Sequence, residues 1–423
     1  MNRVAVTGLG VVAPNGINIP SFTQAIRNGT SGLHYLQDLK DHAMGCCVAG
    51  VPLEFDAGVL RKYLSPGVFN SLRSSNIQYA LAAATEAWED ARLPVGGTDS
   101  LPDTGCIFGN SVCDVDHMRY AIDLFEKLEV QRLGVRHIEQ LMSSGASAYI
   151  GGLLGLGNQV SANSSACSTG TEAVILAAER IRSGQATRMV AGSCEASSRY
   201  IWAVFDAMRV LNRNHNDQPQ AASRPLSADS AGFIPGSGAG ALVLEEWEHA
   251  LARGATIYAE IAGGFVNSGG QRAGGTMTAP SSVAVTRCIG SALELAGVRA
   301  GEIDLVCGHL TGTFADKTEI ANWCAALGRS GEDFPAINTL KSLTGHCISA
   351  AGSIESVAAI LQLHHGFIQP NRNCETIHPE ITGMISAGSI IREPVDREIH
   401  TVVKANFGFG DVNSCIIFKK YKP

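Results

Sequence analysis

The chain has 423 residues, 45% hydrophobic and 17% charged, with a formal net charge of −7. Such a chain buries a large core and offers no chain-wide basic surface for nucleic acid, so short clusters such as Arg61-Lys62 read as solvated faces. No apolar run is long enough to cross a bilayer.

The amino terminus, MNRVAVTGLG, enters a strand pattern at once and carries no apolar leader. Twelve scattered cysteines without a CxxC pair read as reduced thiols in a cytoplasmic protein. Forty-seven glycines at low charge density point to tight strand-to-helix turns in a layered α/β fold. Residues 3–7 run into Gly8-Leu9-Gly10-Val11-Val12-Ala13, a match to the dinucleotide fingerprint GxGxxA. That fingerprint needs its glycines to open a helix. Here the turn Pro14-Asn15-Gly16 follows, and backbone crowding explains the glycines better. Gly236, Gly238 and Gly240 lead into a strand pattern at 241–244 and are read the same way.

Residues 75–92 form an alanine-rich amphipathic helix, and 104–109 a short strand. The charged, irregular region 113–142 has the character of an insertion that caps a site or meets a second subunit. Ser164-Ser165-Ala166-Cys167-Ser168-Thr169-Gly170 then opens a helix predicted for 171–183, whose Val174, Ala177, Ala178 and Ile181 make a buried face. A thiol at that end feels the positive pole of the helix, which favours thiolate. A strand follows at 188–192. The second half retells this order: a helix over 285–296, strands at 302–307 and 336–338, the turn Lys341-Ser-Leu-Thr-Gly-His346, and a helix over 350–363. A duplicated α/β unit with parallel central strands brings the two helix ends together at a pseudo-twofold. No linker interrupts it, so residues 1–423 read as one domain, with halves of about 1–250 and 251–423.

Most of the twelve histidines sit among polar residues. His309 and His346 differ, standing at a strand end and at the mouth of an apolar helix. With Cys167 they make a cysteine–histidine–histidine constellation suited to nucleophilic catalysis.

The blocks SACSTG, RPLSADSAGFIPGSGAGALVLEEWEHALARGATIYAE, HLTGT, KSLTGHCISAAGSIE and NFGFGDVN, in this order, resemble an elongating β-ketoacyl-acyl-carrier-protein synthase. The resemblance spans nearly the whole chain. It implies the thiolase fold, two pseudo-repeated halves in five layers, α-β-α-β-α. It further implies that Cys167 takes an acyl chain as a thioester, and that His309 and His346 bind a malonyl thioester and assist its decarboxylation. Amides of Cys167 and Phe409 would form an oxyanion hole. Lys341 and Glu355 would be the supporting pair, Thr311 and Thr313 would contact the phosphopantetheine arm, and Phe409 would be a mobile gate. No metal and no resident cofactor are implied. The implied partners are an acyl carrier protein and a second ketosynthase subunit, identical or related.

Three motifs depart from the family pattern. His-Gly-Thr-Ser-Thr-Pro is here His309-Leu310-Thr311-Gly312-Thr313-Phe314, so the backbone after His309 is expected to differ, since leucine resists positive φ. Arg-Asp-Gly-Phe is Ser230-Ala231-Gly232-Phe233, which loses both charges near the site. Gly-Phe-Gly-Gly-Thr-Asn is Gly408-Phe409-Gly410-Asp411-Val412-Asn413. These changes bear on substrate choice and leave the condensing groups intact. A malonyl decarboxylase or a non-catalytic chain-length subunit would have replaced Cys167. A biosynthetic thiolase would place a second catalytic cysteine near the carboxyl end, where Cys415 lies within an apparent strand.

Overall fold

The computed structural model describes residues 1–421. Each half contributes five strands. In the first half these are β1 (Val4–Val12), β2 (Thr104–Gly109), β3 (Val160–Ser161), β4 (Arg188–Glu195) and β5 (Gly238–Glu246). In the second they are β6 (Ala259–Ser268), β7 (Leu305–Cys307), β8 (Ala336–Asn338), β9 (Thr401–Gly408) and β10 (Val412–Lys419). The first set is ordered β1-β5-β4-β2-β3 and the second β6-β10-β9-β7-β8, the same order repeated. The two sets join edge to edge where Val4–Val6 of β1 pair antiparallel with Ile261–Ala259 of β6.

The expectation of parallel central strands needs correction. In each half the middle strand, β4 or β9, is parallel to one neighbour and antiparallel to the other. The antiparallel pair arises because β5 and β10 return along the sheet; β9 and β10 are joined by a short turn, which a parallel crossover cannot use.

The principal helices are α1 (Ser75–Asp90), α2 (Val115–Glu126), α3 (Gly145–Leu154), α4 (Thr169–Arg182), α5 (Arg199–Ala207), α6 (Ser282–Ala296), α7 (Ala315–Leu327) and α8 (Ala351–His365). Helices α4 and α8 pack on each other and on strands of both halves, forming the middle layer. Helices α1 and α3 cover the outer face of the first sheet, and α6, with α7 packed beside it, that of the second. Five layers result, as the thiolase resemblance implied. Residues Ala351–Leu363 of α8 are all buried, as befits a helix enclosed on every side and apolar around most of its circumference.

Gly8 and Gly10 lie inside β1, not at a helix start. A Cβ on either would fall on the backbone carbonyl of Ala87 or Ala83 in α1, so these glycines let an alanine-rich helix press onto the strand. Among the described residues no helix is long and apolar enough to cross a membrane, and all twelve cysteines are free.

Candidate active site

The site is assembled from one turn used twice. A 3₁₀ turn, Ala166–Ser168, precedes α4, and another, Ile348–Ala350, precedes α8. The first residue of each, Ala166 or Ile348, has φ +47°, a left-handed conformation that costs a non-glycine residue roughly 1–2 kcal/mol. Gly170 and Gly352 are each the second residue of their helix, and they meet at the crossing. A Cβ on Gly170 would strike the Ser353 amide, and one on Gly352 the Thr171 amide. The missing side chains therefore let two buried helix starts touch. In this pairing Cys167 is equivalent to Ser349, while His346 stands just outside the second turn.

His346 Nε2 lies 3.1 Å from Cys167 Sγ. The Ile348 amide donates to His346 Nδ1 at 3.1 Å, so the proton of the neutral ring sits on Nε2 and points toward the sulfur. The His309 ring stands edge-on to His346, with centroids 5.2 Å apart. Its Nδ1 is 3.2 Å from Asn406 Nδ2. Burial, followed by the charge on Lys341, pushes His346 down to about 3 and His309 well below the ordinary imidazole range. Both rings are therefore neutral near pH 7.

Cys167 corrects an expectation. Burial pushes its thiol up to about 11, against the pull of the Lys341 charge and of the Phe409 amide, which donates to the sulfur. The sulfur stands in a 3₁₀ turn ahead of α4, and loss of hydration is the largest influence on it.

Lys341 pairs with Glu355, and both are buried. A second buried lysine, Lys404 on β9, lies 3.2 Å from the same carboxylate and donates to Thr171 Oγ1 at 2.6 Å. Desolvation brings Lys404 down to about 8 despite Glu355. Burial works against the Glu355 charge, yet the two lysines hold its carboxyl below the ordinary range. Sequence reasoning missed Lys404 and Asn406. The available signal was period two: Val402, Lys404 and Asn406 share one face of a strand that is otherwise apolar.

Thr311 and Thr313 are half-buried, and their hydroxyls lie 3.0 Å apart. Their loop is fastened by Asp316, which accepts from the amides of Thr311 at 2.8 Å and Gly312 at 3.1 Å. Leu310 takes a positive φ, +20°. The Glu319 carboxylate takes the amides of His309 and Leu310 at 2.7 Å each and holds this backbone in place. The Ser230–Phe233 segment lies beside the threonine loop, joined by Gly232 N–H donating to Gly312 O at 3.0 Å. Phe233 sets its ring edge on His346 at 5.4 Å, and Phe205 connects it to Phe409. Phe409 is flanked by glycines, and the backbone after it is fastened. Gly410 N–H donates to Met277 O at 2.7 Å, and the buried Asp411 carboxylate takes the amides of Gln271 and Ser281 at 3.0 and 2.8 Å.

Donor atoms of Cys167, His309 and His346 all fall within 4.8 Å of one another, a spacing that also suits a metal ion. Both Nδ1 atoms already have hydrogen-bond partners, and the Ile348 amide leaves the His346 proton on Nε2, so ligation there would require that ring to lose or move a proton. Two lysines against one glutamate further disfavour a cation here. The donor set therefore fits hydrogen-bond donation better than metal binding.

The five-layered duplicated fold, with a cysteine and two histidines where its central helices cross, marks a condensing enzyme of the thiolase fold. The model of the beta-ketoacyl synthase N-terminal domain matches residues 1–250, and that of the C-terminal domain matches residues 258–375. The chain belongs to the beta-ketoacyl synthase family. It is 34% identical to 3-oxoacyl-[acyl-carrier-protein] synthase 1 of Escherichia coli (strain K12) over 425 aligned positions, covering 100% of both chains. Among solved structures, the ishigamide ketosynthase/chain length factor aligns with a TM-score of 0.88 at 26% identity, covering 100% of both chains. A type II PKS acyl-carrier protein in complex with its ketosynthase bound to the hexaketide aligns at 0.87 and 29% identity, covering 99% of this chain and 100% of that one.

Proposed function

We propose that the protein is a β-ketoacyl-acyl-carrier-protein synthase, an acyltransferase that joins an acyl chain on Cys167 to malonyl-acyl-carrier protein. The single observation that carries this reading is the pair of neutral imidazoles beside the thiol, His346 at 3.1 Å from it and each with Nδ1 engaged.

Acyl transfer comes first. Thr311 and Thr313 hold the phosphopantetheine arm, Cys167 sulfur attacks the thioester carbonyl, and the thiol proton leaves with the pantetheine sulfur. In the second stage the malonyl thioester oxygen lies between His309 and His346. Carbon dioxide departs, and the two Nε2–H groups stabilise the enolate oxygen. The enolate carbon attacks the acyl-Cys167 carbonyl, whose oxyanion is held by the amides of Cys167 and Phe409. Collapse expels the Cys167 thiolate, with the His346 N–H facing it, and yields the β-ketoacyl product. The chemistry requires no resident cofactor, since the thioester arm arrives on the carrier protein. Lys341 and Glu355 support the histidines.

The chain acts as a single ketosynthase domain, cytoplasmic, in fatty-acid or in specialised type II polyketide or polyene biosynthesis. The altered segments at 230–233 and 410–412 border the site and bear on the choice between these substrates. It pairs with an identical or related subunit through the 113–142 region, where Phe125, Leu128, Val135 and Ile138 are exposed.

Incubation with acyl- and malonyl-carrier protein, followed by mass spectrometry, tests the reading. A product two carbons longer, with acylation mapped to Cys167, supports it. Carbon dioxide release without acyl-Cys167 would make the protein a decarboxylase, and no turnover would make it a partner subunit.

A further inference from the structure

The histidine that receives the malonyl thioester is useful only if its proton faces the substrate. For His346 a backbone amide settles this. For His309 the structure uses side chains, and the wiring is unusually explicit. Asn406 reaches His309 Nδ1 with one end of its amide at 3.2 Å. Which end it presents is fixed by charge on both sides.

The Asn406 Oδ1 faces the Lys404 ammonium and accepts the Thr171 hydroxyl at 2.6 Å. The Nδ2 donates to Glu355 Oε2 at 2.9 Å. Flipping the amide would set its NH2 against a cation and its carbonyl against a carboxylate, an arrangement that no rotation of Asn406 relieves. All the groups concerned are buried, so the low dielectric magnifies the penalty. Asn406 therefore donates to His309, Nδ1 accepts, and the ring proton resides on Nε2.

Resting on the function proposed above, we infer that Asn406, clamped by Lys404, is the positioning residue that locks His309 as an Nε2–H donor for the enolate oxygen. Lys404 acts on Asn406, and Asn406 acts on His309; neither touches substrate. Glu355 favours this orientation from the nitrogen end, and Lys404 reinforces it with the matching charge at the oxygen end.

The test uses the full chain with 15N-labelled histidine. Ring nitrogen shifts and couplings, assigned with a His309→Gln control, report the tautomer directly. In the wild-type protein His309 carries its proton on Nε2. In Asn406→Asp the carboxylate accepts from Nδ1–H, so the proton moves to Nδ1, and malonyl decarboxylation falls at least about tenfold relative to Cys167 acylation. Lys404→Met frees the amide and gives a mixed tautomer with a smaller fall in the same ratio. It carries the test should Asn406→Asp fail to fold. A wild-type proton on Nδ1, or variants that fold and keep both the tautomer and the ratio, would overturn the inference. A wild-type enzyme that shows the Nε2–H signature but neither decarboxylates nor condenses would instead sink the proposed function.

Discussion

The two halves of this molecule repeat one strand order and one helix-opening turn, yet they deliver different chemistry. The first turn raises a cysteine beside α4. At the equivalent place the second raises Ser349, whose hydroxyl donates to the Cys194 carbonyl at 2.7 Å and is spent on structure. The second half instead supplies His346 just before its turn and His309 just after β7, together with Lys341, Glu355, Lys404 and Asn406. Duplication thus built the scaffold symmetrically, while the site on it is asymmetric: the thiol comes from the first half and both imidazoles from the second.

Removing one group from each half gives the largest expected effects. Cys167→Ala lowers condensation by more than about 10³-fold, while carbon dioxide is still released from malonyl-carrier protein. His309→Ala lowers decarboxylation by about 10²-fold or more, yet acyl-Cys167 still forms and is seen by intact-protein mass spectrometry. Parallel losses in both assays for both variants would show that the halves do not divide the work.

The helix crossing tests the symmetric part. Gly170→Ala and Gly352→Ala each force a Cβ into the partner helix backbone, at a cost of about 1–3 kcal/mol or more. Chemical denaturation should give losses matched to within ~1 kcal/mol. A strongly unequal pair would break the structural equivalence of the two turns.

The pH dependence of Cys167 separates burial from the helix-end field. With the thiol pushed up to about 11 and His346 down to about 3, alkylation of the free enzyme by iodoacetamide tracks the thiolate fraction. It rises nearly tenfold per pH unit from about pH 7 to about pH 10, without an inflection from His346. A rate that levels off below about pH 8 would mean that the field dominates.

The smallest effect concerns strain. Ala166→Gly relieves the positive φ of the first turn but adds freedom to the unfolded chain. Stability should change by no more than about 1 kcal/mol, read from the thermal midpoint.

Much of the site was legible from residue order. SACSTG and LTGHC announced themselves because a reactive side chain among small residues at the head of an apolar helix is a local pattern. The helices at α4 and α8 were read within a few residues, since their apolar faces recur at helical spacing. Strand direction was not legible in this way. A short apolar strand reads alike in either orientation, and the antiparallel return of β5 and β10 depends on where the connections lead. The structure does bring Cys167 up against His346, but the expected thiolate meets a thiol pushed up to about 11, because burial depends on what packs over the sulfur.

By itself the sequence determined the family, the duplicated layout and the identity of the cysteine and histidines, since these rest on local spacing and long motif blocks. Only the tertiary structure decided how those groups are tuned. It brings Lys404 and Asn406 from β9 onto the Glu355 carboxylate of α8 and against His309 at the end of β7. The direction of a proton on an imidazole is set by what lies against its other nitrogen, and that neighbour is distant in sequence.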